Sequence, residues 1–214
     1  MSPNPANLRR EYERHALTDA SVSPSPFTQF GIWFDEAVKA KVHEPNAMVV
    51  ASATSTGQPS ARVMLLKGFD DHGFVFFTNY SSRKAGEIDA NPRAALVFFW
   101  PELERQVRIE GSITKVSPAE TAEYFSSRPR ESQIAAWTSH QSRQAKSRDE
   151  LEKRHKELVA KFGSGPIPIP DFWGGYRVAP TMLEFWQGRP SRLHDRIVYH
   201  RQPDGSWEIS RLEP

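Results

Sequence analysis

Between Met48 and Asn79, three runs rich in β-branched and aromatic residues, MVVASAT, ARVMLLKGFD and FVFFTN, are separated by TGQPS and DDHG. Short runs of this kind, punctuated by turn-forming Gly, Asp and Pro, predict an antiparallel meander over residues 48–79. RAALVFFW and QVRIEGSITKVS predict two more strands. In the second, Gln106, Arg108 and Glu110 share one face and Val107 and Ile109 the other, as period-two alternation requires. The chain ends in the same idiom, with GYRV, TMLEFWQG, RIVYHR and SWEISRLEP as strands and Pro203-Asp204-Gly205 turning the last pair.

Helices lie between these groups. Ser25 can cap a helix that has Pro26 at its first position and Phe30, Trp33, Phe34 and Ala37 on one face. SRKAGEIDANP predicts a short helix stopped at Asn91-Pro92. Ser117-Pro118-Ala119-Glu120 is a capping box opening a helix to about Ser127, and Ser147 with Glu150 is a second possible box. In that last helix Glu150 with Arg154, Glu152 with Lys156 and Glu157 with Lys161 form exposed pairs, Leu151, His155, Leu158 and Phe162 line the other side, and Gly163 ends it. Strands that open and close the domain, with helices between, predict a mostly β, barrel-like α+β fold rather than a βαβ fold. Residues 1–24, polar and broken by prolines, are expected to form an arm, and residues 25–214 a single domain.

Composition narrows the chemistry. Of 214 residues none is cysteine, which removes disulfides, thiolate catalysis and cysteine-ligated metals. The seven histidines are scattered, with no HExxH pair, so no metal centre is expected. A net charge of +2 is too slight to imply nucleic acid. The amino end lacks the apolar core of a signal peptide and no run approaches the length of a membrane span, so a cytoplasmic protein without membrane contact is expected. No Rossmann or Walker glycine motif is present, and no G-x-S-x-G elbow marks a catalytic serine.

What remains is local clustering of cations, hydroxyls and rings. Arg62 opens ARVMLLKG and Lys67 closes it; in a regular strand they point to opposite faces, which allows two separate anions or two solvent-facing charges. Tyr80-Ser81-Ser82-Arg83-Lys84, at a helix start, offers hydroxyls, cations and free N–H groups suited to a phosphate monoester. Tyr124 and Arg128 are one helical turn apart, with Ser132 a further four residues on, although Pro129 argues against one continuous helix. Gln141 and Ser142 are neutral donors that can complete either site or cap the next helix. Near the end stands EFWQGRPSRLHDR, where Arg192, His194 and Arg196 share a face if the segment is extended, while Leu183 and Phe185 alternate with Glu184 and Trp186. Together these residues describe a binder of phosphate-bearing aromatic ligands.

The chain also resembles the pyridoxine (pyridoxamine) 5'-phosphate oxidase family. The likeness runs from Pro26 to Pro214, through RVMLLKGFDDHGFVFFTNY, SRKAGEIDANP, ALVFFWPELERQVRIEG, YFSSRPRESQIAAWTSHQS, FWGGYRV and EFWQGRPSRLHDR to the terminal RLEP. It implies an FMN-binding split β-barrel with surrounding helices, and a homodimer whose two active sites cross the subunit interface. Matched by motif, the flavin contacts would be Arg62, Val63, Met64, Leu65, Leu66 and Lys67, then Phe77 and Thr78. Arg83, Lys84, Gln106, Gln141, Ser142, Trp186 and Arg196 would complete them, with Arg62, Arg83, Lys84 and Ser142 at the flavin phosphate. Lys67, Tyr124, Arg128 and Ser132 would meet the substrate phosphate, and Arg192 and His194, the expected catalytic residues, the pyridine ring. Arg9 and Tyr12 would belong to a flexible lid. Arg189 is left facing water.

The resemblance further implies oxidation at C4' of pyridoxine or pyridoxamine 5'-phosphate, with hydride passing to the flavin, dioxygen reduced to hydrogen peroxide, and ammonia released from the amine. Ala85 and Ala135 stand where the family commonly has glycine, neither in a contact carried over by motif. Other functions weighed are a split-barrel flavin or deazaflavin reductase, which would lack RPRESQ and RLHDR together, a non-catalytic pyridoxal phosphate carrier, and a nucleic-acid binder.

Overall fold

The structure, a computed structural model, describes residues 11–13 and 15–214. Arg9 lies outside them. Among the described residues nine strands form one curled antiparallel sheet: β1 (Ala47–Ala53), β2 (Pro59–Leu65), β3 (Gly68–Asp70), β4 (Gly73–Asn79), β5 (Arg93–Trp100), β6 (Arg105–Lys115), β7 (Trp173–Gln187), β8 (Asp195–Arg201) and β9 (Trp207–Leu212). Five α-helices among the described residues surround it: α1 (Pro26–Lys39), α2 (Arg83–Ala90), α3 (Pro118–Ser127), α4 (Arg130–Thr138) and α5 (Arg148–Phe162). This is the mostly β arrangement that the strand pattern predicts, a half-barrel with helices around it. No described helix is long and apolar enough to cross a membrane.

The expected meander is divided. Strand order is β2-β1-β5-β6-β7-β4-β3, with β8 and β9 continuing from β7, so β2 and β3 stand at opposite edges of that path. The chain crosses from one to the other through Leu66 and Lys67 alone. Leu66 N–H donates to the Asn46 carbonyl at 2.8 Å on one side, and Lys67 N–H to the Val75 carbonyl at 2.8 Å on the other. Two residues bridge the two edges because the sheet curls upon itself. Lys67 therefore stands at a seam beyond the end of β2, where strand parity with Arg62 no longer applies.

GYRV and TMLEFWQG, expected as two strands, are one. Pro180 falls where β6 and β7 shift register between Glu110 and Gly111, so its missing N–H costs no ladder bond. Gly111 permits the close approach, since a Cβ there would lie 2.1 Å from the Ala179 carbonyl oxygen.

α1 begins as predicted, with Ser25 accepting from Thr28 N–H and Pro26 at the first position. Its Phe27, Phe30, Trp33 and Ala37 enter the main core against Phe74, Phe98 and Phe185. Full burial of such side chains contributes roughly 1.5–3 kcal/mol each. The Ser117 and Glu120 box is complete, whereas at α5 only Ser147 caps, because Glu150 turns to Arg154. The other two predicted α5 pairs change direction: Glu152 takes Arg148 at 2.8 Å and Glu157 takes Lys153 at 4.0 Å. Spacing of four allows a partner on either side, and the sequence does not choose between them.

Residues expected as an arm lie against the body where they are described. Leu17 is buried in the core, its N–H donating to Asp195 Oδ2, and Tyr199 Oη donates to the Ser23 carbonyl.

The two faces of the sheet differ. Inward, β1, β5, β6 and β7 contribute Val50, Leu96, Phe98, Val107, Ile109, Leu183 and Phe185, all fully buried. Outward, Val49 pairs with Val63 on one side and Val97 on the other, and Phe99 follows on β5. Val63 is 67% exposed and Phe99 57%.

Candidate active site

α3 and α4 meet at a sharp break. Arg128 has extended backbone, Pro129 cannot continue a helix, and α4 starts at Arg130, so the doubt raised by Pro129 is justified. Gln133 Nε2 donates to the carbonyls of Phe125 and Arg128, both at 3.0 Å, and fixes the corner. Tyr124, Arg128 and Ser132 are thereby turned toward the β2 end. There, with Lys67, Val63, Met64, Leu65, Phe77 and Trp173, they line a cavity of about 450 Å³. A second cavity of about 220 Å³ adjoins it, sharing Met64, Phe77, Arg128 and Trp173 and adding Thr78, Ala135 and Gln141. Ala135, at one of the positions where the family commonly has glycine, is thus part of the wall.

The wall is aromatic and the rim cationic. Phe77 stacks on Tyr124 with centroids 4.0 Å apart and on Trp173 at 5.5 Å. The Arg128 guanidinium lies 4.6 Å from the centre of the Trp173 ring. Its Nη1 is buried with no hydrogen-bond partner among the described residues, and burial pushes its pKa below the ordinary arginine value. Lys67 Nζ stands 5.9 Å from the centre of the Tyr124 ring. A buried guanidinium nitrogen left without an acceptor is costly in a finished core, and an incoming anion removes the cost.

Beside this cavity lies a second cationic cluster. Lys84 is 6% exposed; its Nζ donates to Gln141 Oε1 at 2.6 Å and Ser82 Oγ at 3.2 Å. Thr78 Oγ1 donates to the same Gln141 oxygen at 3.1 Å. Burial, helped by Arg62, brings the Lys84 pKa down to about 8. Arg62 and Arg83 both turn to Glu87 on α2, a buried carboxylate that sequence reasoning missed although it stands one helical turn after Arg83. Ser142 follows Gln141 in the left-handed region, at φ 68°, and is exposed. Leu66 puts its side chain in the core, and Asn46 takes both its N–H, at 2.8 Å, and its carbonyl, at 3.3 Å.

The remaining candidates are elsewhere. Gln106 pairs with Trp186, and Trp186 with Arg196, at the far end of β7. Trp173 and Trp186 stand at opposite ends of that strand, roughly 40 Å apart along it at about 3.3 Å per residue. None of Gln106, Trp186, Arg192, His194 and Arg196 lines either cavity. Here Arg196, Arg108 and Arg189 have carboxylates. Arg196 Nε and Nη2 donate to Glu184 at 2.8 and 3.1 Å, and Arg108 Nη1 donates to the same group at 2.9 Å. Arg189, expected to face water, donates to the His15 carbonyl at 3.0 Å and pairs with Asp195 at 3.5 Å. Arg192 and His194 do not share an extended face, because Pro190–Arg192 is a 3-10 turn with Ser191 and Arg192 at φ 56° and 62°.

Arg192 is exposed and makes no hydrogen bond or ion pair among the described residues. His194 is half-buried, its ring 4.7 Å from Trp186 between centroids. Arg189 N–H donates to His194 Nδ1 at 3.1 Å, so in the neutral ring the proton sits on Nε2. Burial and the Arg192 charge lower its pKa, which favours that neutral form. Tyr12 covers this group, edge-on to Trp186 at 5.7 Å and to His194 at 5.8 Å. Among the described residues, no three of His, Cys, Asp and Glu gather in a way that can hold a metal ion.

Residues 34–161 match the family described as pyridoxamine 5'-phosphate oxidase. Residues 173–214 match the pyridoxine 5'-phosphate oxidase C-terminal dimerisation region. A pyridoxine/pyridoxamine 5'-phosphate oxidase of Cupriavidus taiwanensis is 58% identical over 209 residues, covering 98% of each chain. One from Bordetella pertussis is 58% identical over 211 residues, covering 98% of this chain and 99% of the relative. Among solved structures, PhzG from Burkholderia lata, in complex with tetrahydrophenazine-1-carboxylic acid, superposes with a TM-score of 0.88 at 31% identity, covering 93% of this chain and 98% of that one. A pyridoxamine 5'-phosphate oxidase-related, FMN-binding protein from Nostoc punctiforme shares the fold, with a TM-score of 0.71 at 20% identity over 90% of this chain and 99% of its own.

Proposed function

The chain belongs to the pyridoxamine 5'-phosphate oxidase family, and from that premise we propose that it oxidises pyridoxamine and pyridoxine 5'-phosphates to pyridoxal 5'-phosphate with FMN as cofactor and dioxygen as final acceptor. Hydrogen peroxide is the co-product, and ammonia leaves from the amine. The observation that carries this proposal is the buried, partnerless Nη1 of Arg128 at a cavity that also holds Lys67, Tyr124 and Ser132. Two cations and two hydroxyls suit a phosphate monoester.

The neighbouring residues fit FMN. Arg62 and Arg83 gather around one carboxylate at α2 with Lys84 beside them, and burial, together with the Arg62 charge, brings the Lys84 pKa down to about 8. These residues would hold the flavin phosphate, with Thr78 and Gln141 beside them and Val63 to Leu65 along the ring system. When bound, FMN supplies a two-electron acceptor that dioxygen regenerates.

The protein's part is placement and charge. Arg128, Lys67, Tyr124 and Ser132 bind the substrate phosphate, and that remote binding energy orients C4'. Arg192 contributes positive charge near the ring and assists loss of a proton from the C4' substituent. His194, neutral with its proton on Nε2, donates a hydrogen bond to the substrate. Tyr12 covers the ring end and limits entry of water.

One chain cannot bring Arg192 and His194 to the cavity, because β7 separates them. A second copy can, with its far β7 end against the first copy's cavity. The apolar outer face of β1, β2 and β5 supports such a homodimer, since Val63 and Phe99 would otherwise remain in water.

The test is direct. The purified chain should show an oxidised-flavin spectrum and, given pyridoxamine 5'-phosphate under air, release peroxide and pyridoxal phosphate. An FMN-loaded protein that generates neither would sink the proposal.

A further inference from the structure

Glu87 is a 5% exposed carboxylate on α2, facing β1 and β2. Its Oε2 accepts from Ser52 Oγ at 2.6 Å and Ser60 Oγ at 2.5 Å and lies 3.4 Å from Arg62 Nη2, while its Oε1 accepts from Arg83 Nε at 2.8 Å. The two serines also receive Arg62: Nη1 donates to Ser52 Oγ at 2.7 Å and Nη2 to Ser60 Oγ. Arg62 Nη1 has a further bond, to the Val50 carbonyl at 3.1 Å. Every donor on the carboxylate favours its ionised form, and its pKa is pushed down to about 2.

Such a hub is more than a surface ion pair. It joins two neighbouring strands to a helix and sets the direction of two guanidinium groups at once. Arg62, Arg83 and Lys84 carry three positive charges against the one negative charge of Glu87. About two remain, the complement of a phosphate monoester of charge about −2. Without Glu87, three cations would repel one another in a partly buried space, and the long arginine side chains would lose their common anchor.

We propose that Glu87 is the positioning residue that holds Arg62 and Arg83 for the cofactor phosphate, and that it thereby sets the protein's preference for the phosphorylated flavin over riboflavin. This rests on the assignment of the flavin phosphate to Arg62, Arg83 and Lys84 made above. Glu87 touches neither the flavin ring nor the substrate in this account, so its influence is confined to the phosphate.

Flavin fluorescence quenching, with the full chain freed of flavin and titrated separately with FMN and riboflavin, tests both levels. The wild-type protein should bind FMN at least about 100-fold more tightly; equal affinities would refute the phosphate assignment itself. Glu87→Gln should weaken FMN binding by about 10-fold or more and leave riboflavin within about 2-fold, a selective loss that charge-assisted bonding predicts. If wild type discriminates and the variant keeps the same FMN to riboflavin ratio, or loses both ligands equally, Glu87 is merely structural and the inference is overturned. Should Glu87→Gln not fold, Glu87→Asp decides, since it keeps the charge and draws the carboxylate back from both arginines. A selective loss of FMN affinity of about 3-fold or more upholds the role, and an unchanged ratio overturns it.

Discussion

The two ends of β7 carry similar residues in opposite states. At the Trp173 end, Arg128 has a buried nitrogen with no acceptor among the described residues and the Lys84 pKa is held well below the ordinary lysine value. At the Trp186 end, Arg196 and Arg108 share Glu184, while Arg189 and Arg211 share Asp195. Arginine content does not distinguish these regions; the disposition of carboxylates does. At the Trp186 end the paired cations tie the strands together, whereas at the Trp173 end Arg128 and Lys84 have no carboxylate partner among the described residues. Arg192, exposed and without a partner among the described residues, is the exception at the far end, and it is one of the residues assigned to the substrate.

The largest effect that can break this contrast is on stability. Glu184→Ala should cost about 3 kcal/mol in denaturant unfolding, because it leaves Arg196 and Arg108 without their shared carboxylate; partial exposure of both arginines keeps the loss at the lower end for a broken buried pair. A loss below about 1 kcal/mol would mean that the far end is not held by its ion pairs. Arg128→Ala should do the reverse. It should raise the KM for pyridoxamine 5'-phosphate about 10- to 100-fold, equivalent to roughly 1.5–3 kcal/mol, while stability holds or rises. Titration showing equal losses of substrate and FMN affinity would erase the division between the two phosphate sites.

A pH series gives the next largest effect. In the free protein Lys84 titrates near 8 instead of 10.5. On the proposed phosphate assignment FMN requires the protonated ammonium, so affinity should be highest below pH 8 and fall above it by at most about tenfold per unit. The stability of the flavin-free protein moves the other way. From pH 8 to 10.5 the unfolded chain keeps the Lys84 proton that the folded chain has lost, so stability rises with pH through that window. FMN affinity that is flat from pH 7 to 10 would remove Lys84 from the phosphate site. The smallest effect is expected from Gly188→Ala. A Cβ at Gly188 would lie 2.7 Å from Tyr12 Cγ, so Tyr12 must move off Trp186 and His194. Loss of that cover should raise the substrate KM a few-fold, about 1 kcal/mol, with FMN affinity unchanged; an unaltered KM would mean that Tyr12 does not act as a cover.

Much of this was legible in the sequence because it is local. The strand runs, the Ser25 and Ser117 caps, the alternation of Gln106, Arg108 and Glu110 with Val107 and Ile109, and the break at Pro129 depend on neighbours a few residues away. The motifs also named Lys67, Tyr124, Arg128 and Ser132, which line one cavity, without showing their surroundings. Sequence did not show that Arg189 meets Asp195 and the His15 carbonyl instead of water, because Gly188 and Pro190 signal a turn but not that residue 15, 174 positions earlier, lies against it. Nor did it show Glu87 as the anchor of Arg62, since the two are 25 residues apart and only sheet and helix packing brings them together.

By itself, then, the sequence determined which residues alternate, where helices begin, and which side chains are chemically able to grip phosphate and stack on rings. The tertiary structure alone decided that the 48–79 strands divide between opposite edges of a curled sheet, that Lys67 stands at their seam, and that one unbroken β7 keeps Arg192 and His194 away from Arg128. The physical reason is that side-chain periodicity and capping are short-range, whereas sheet curl, register and the pairing of buried charge depend on contacts between residues far apart in the chain.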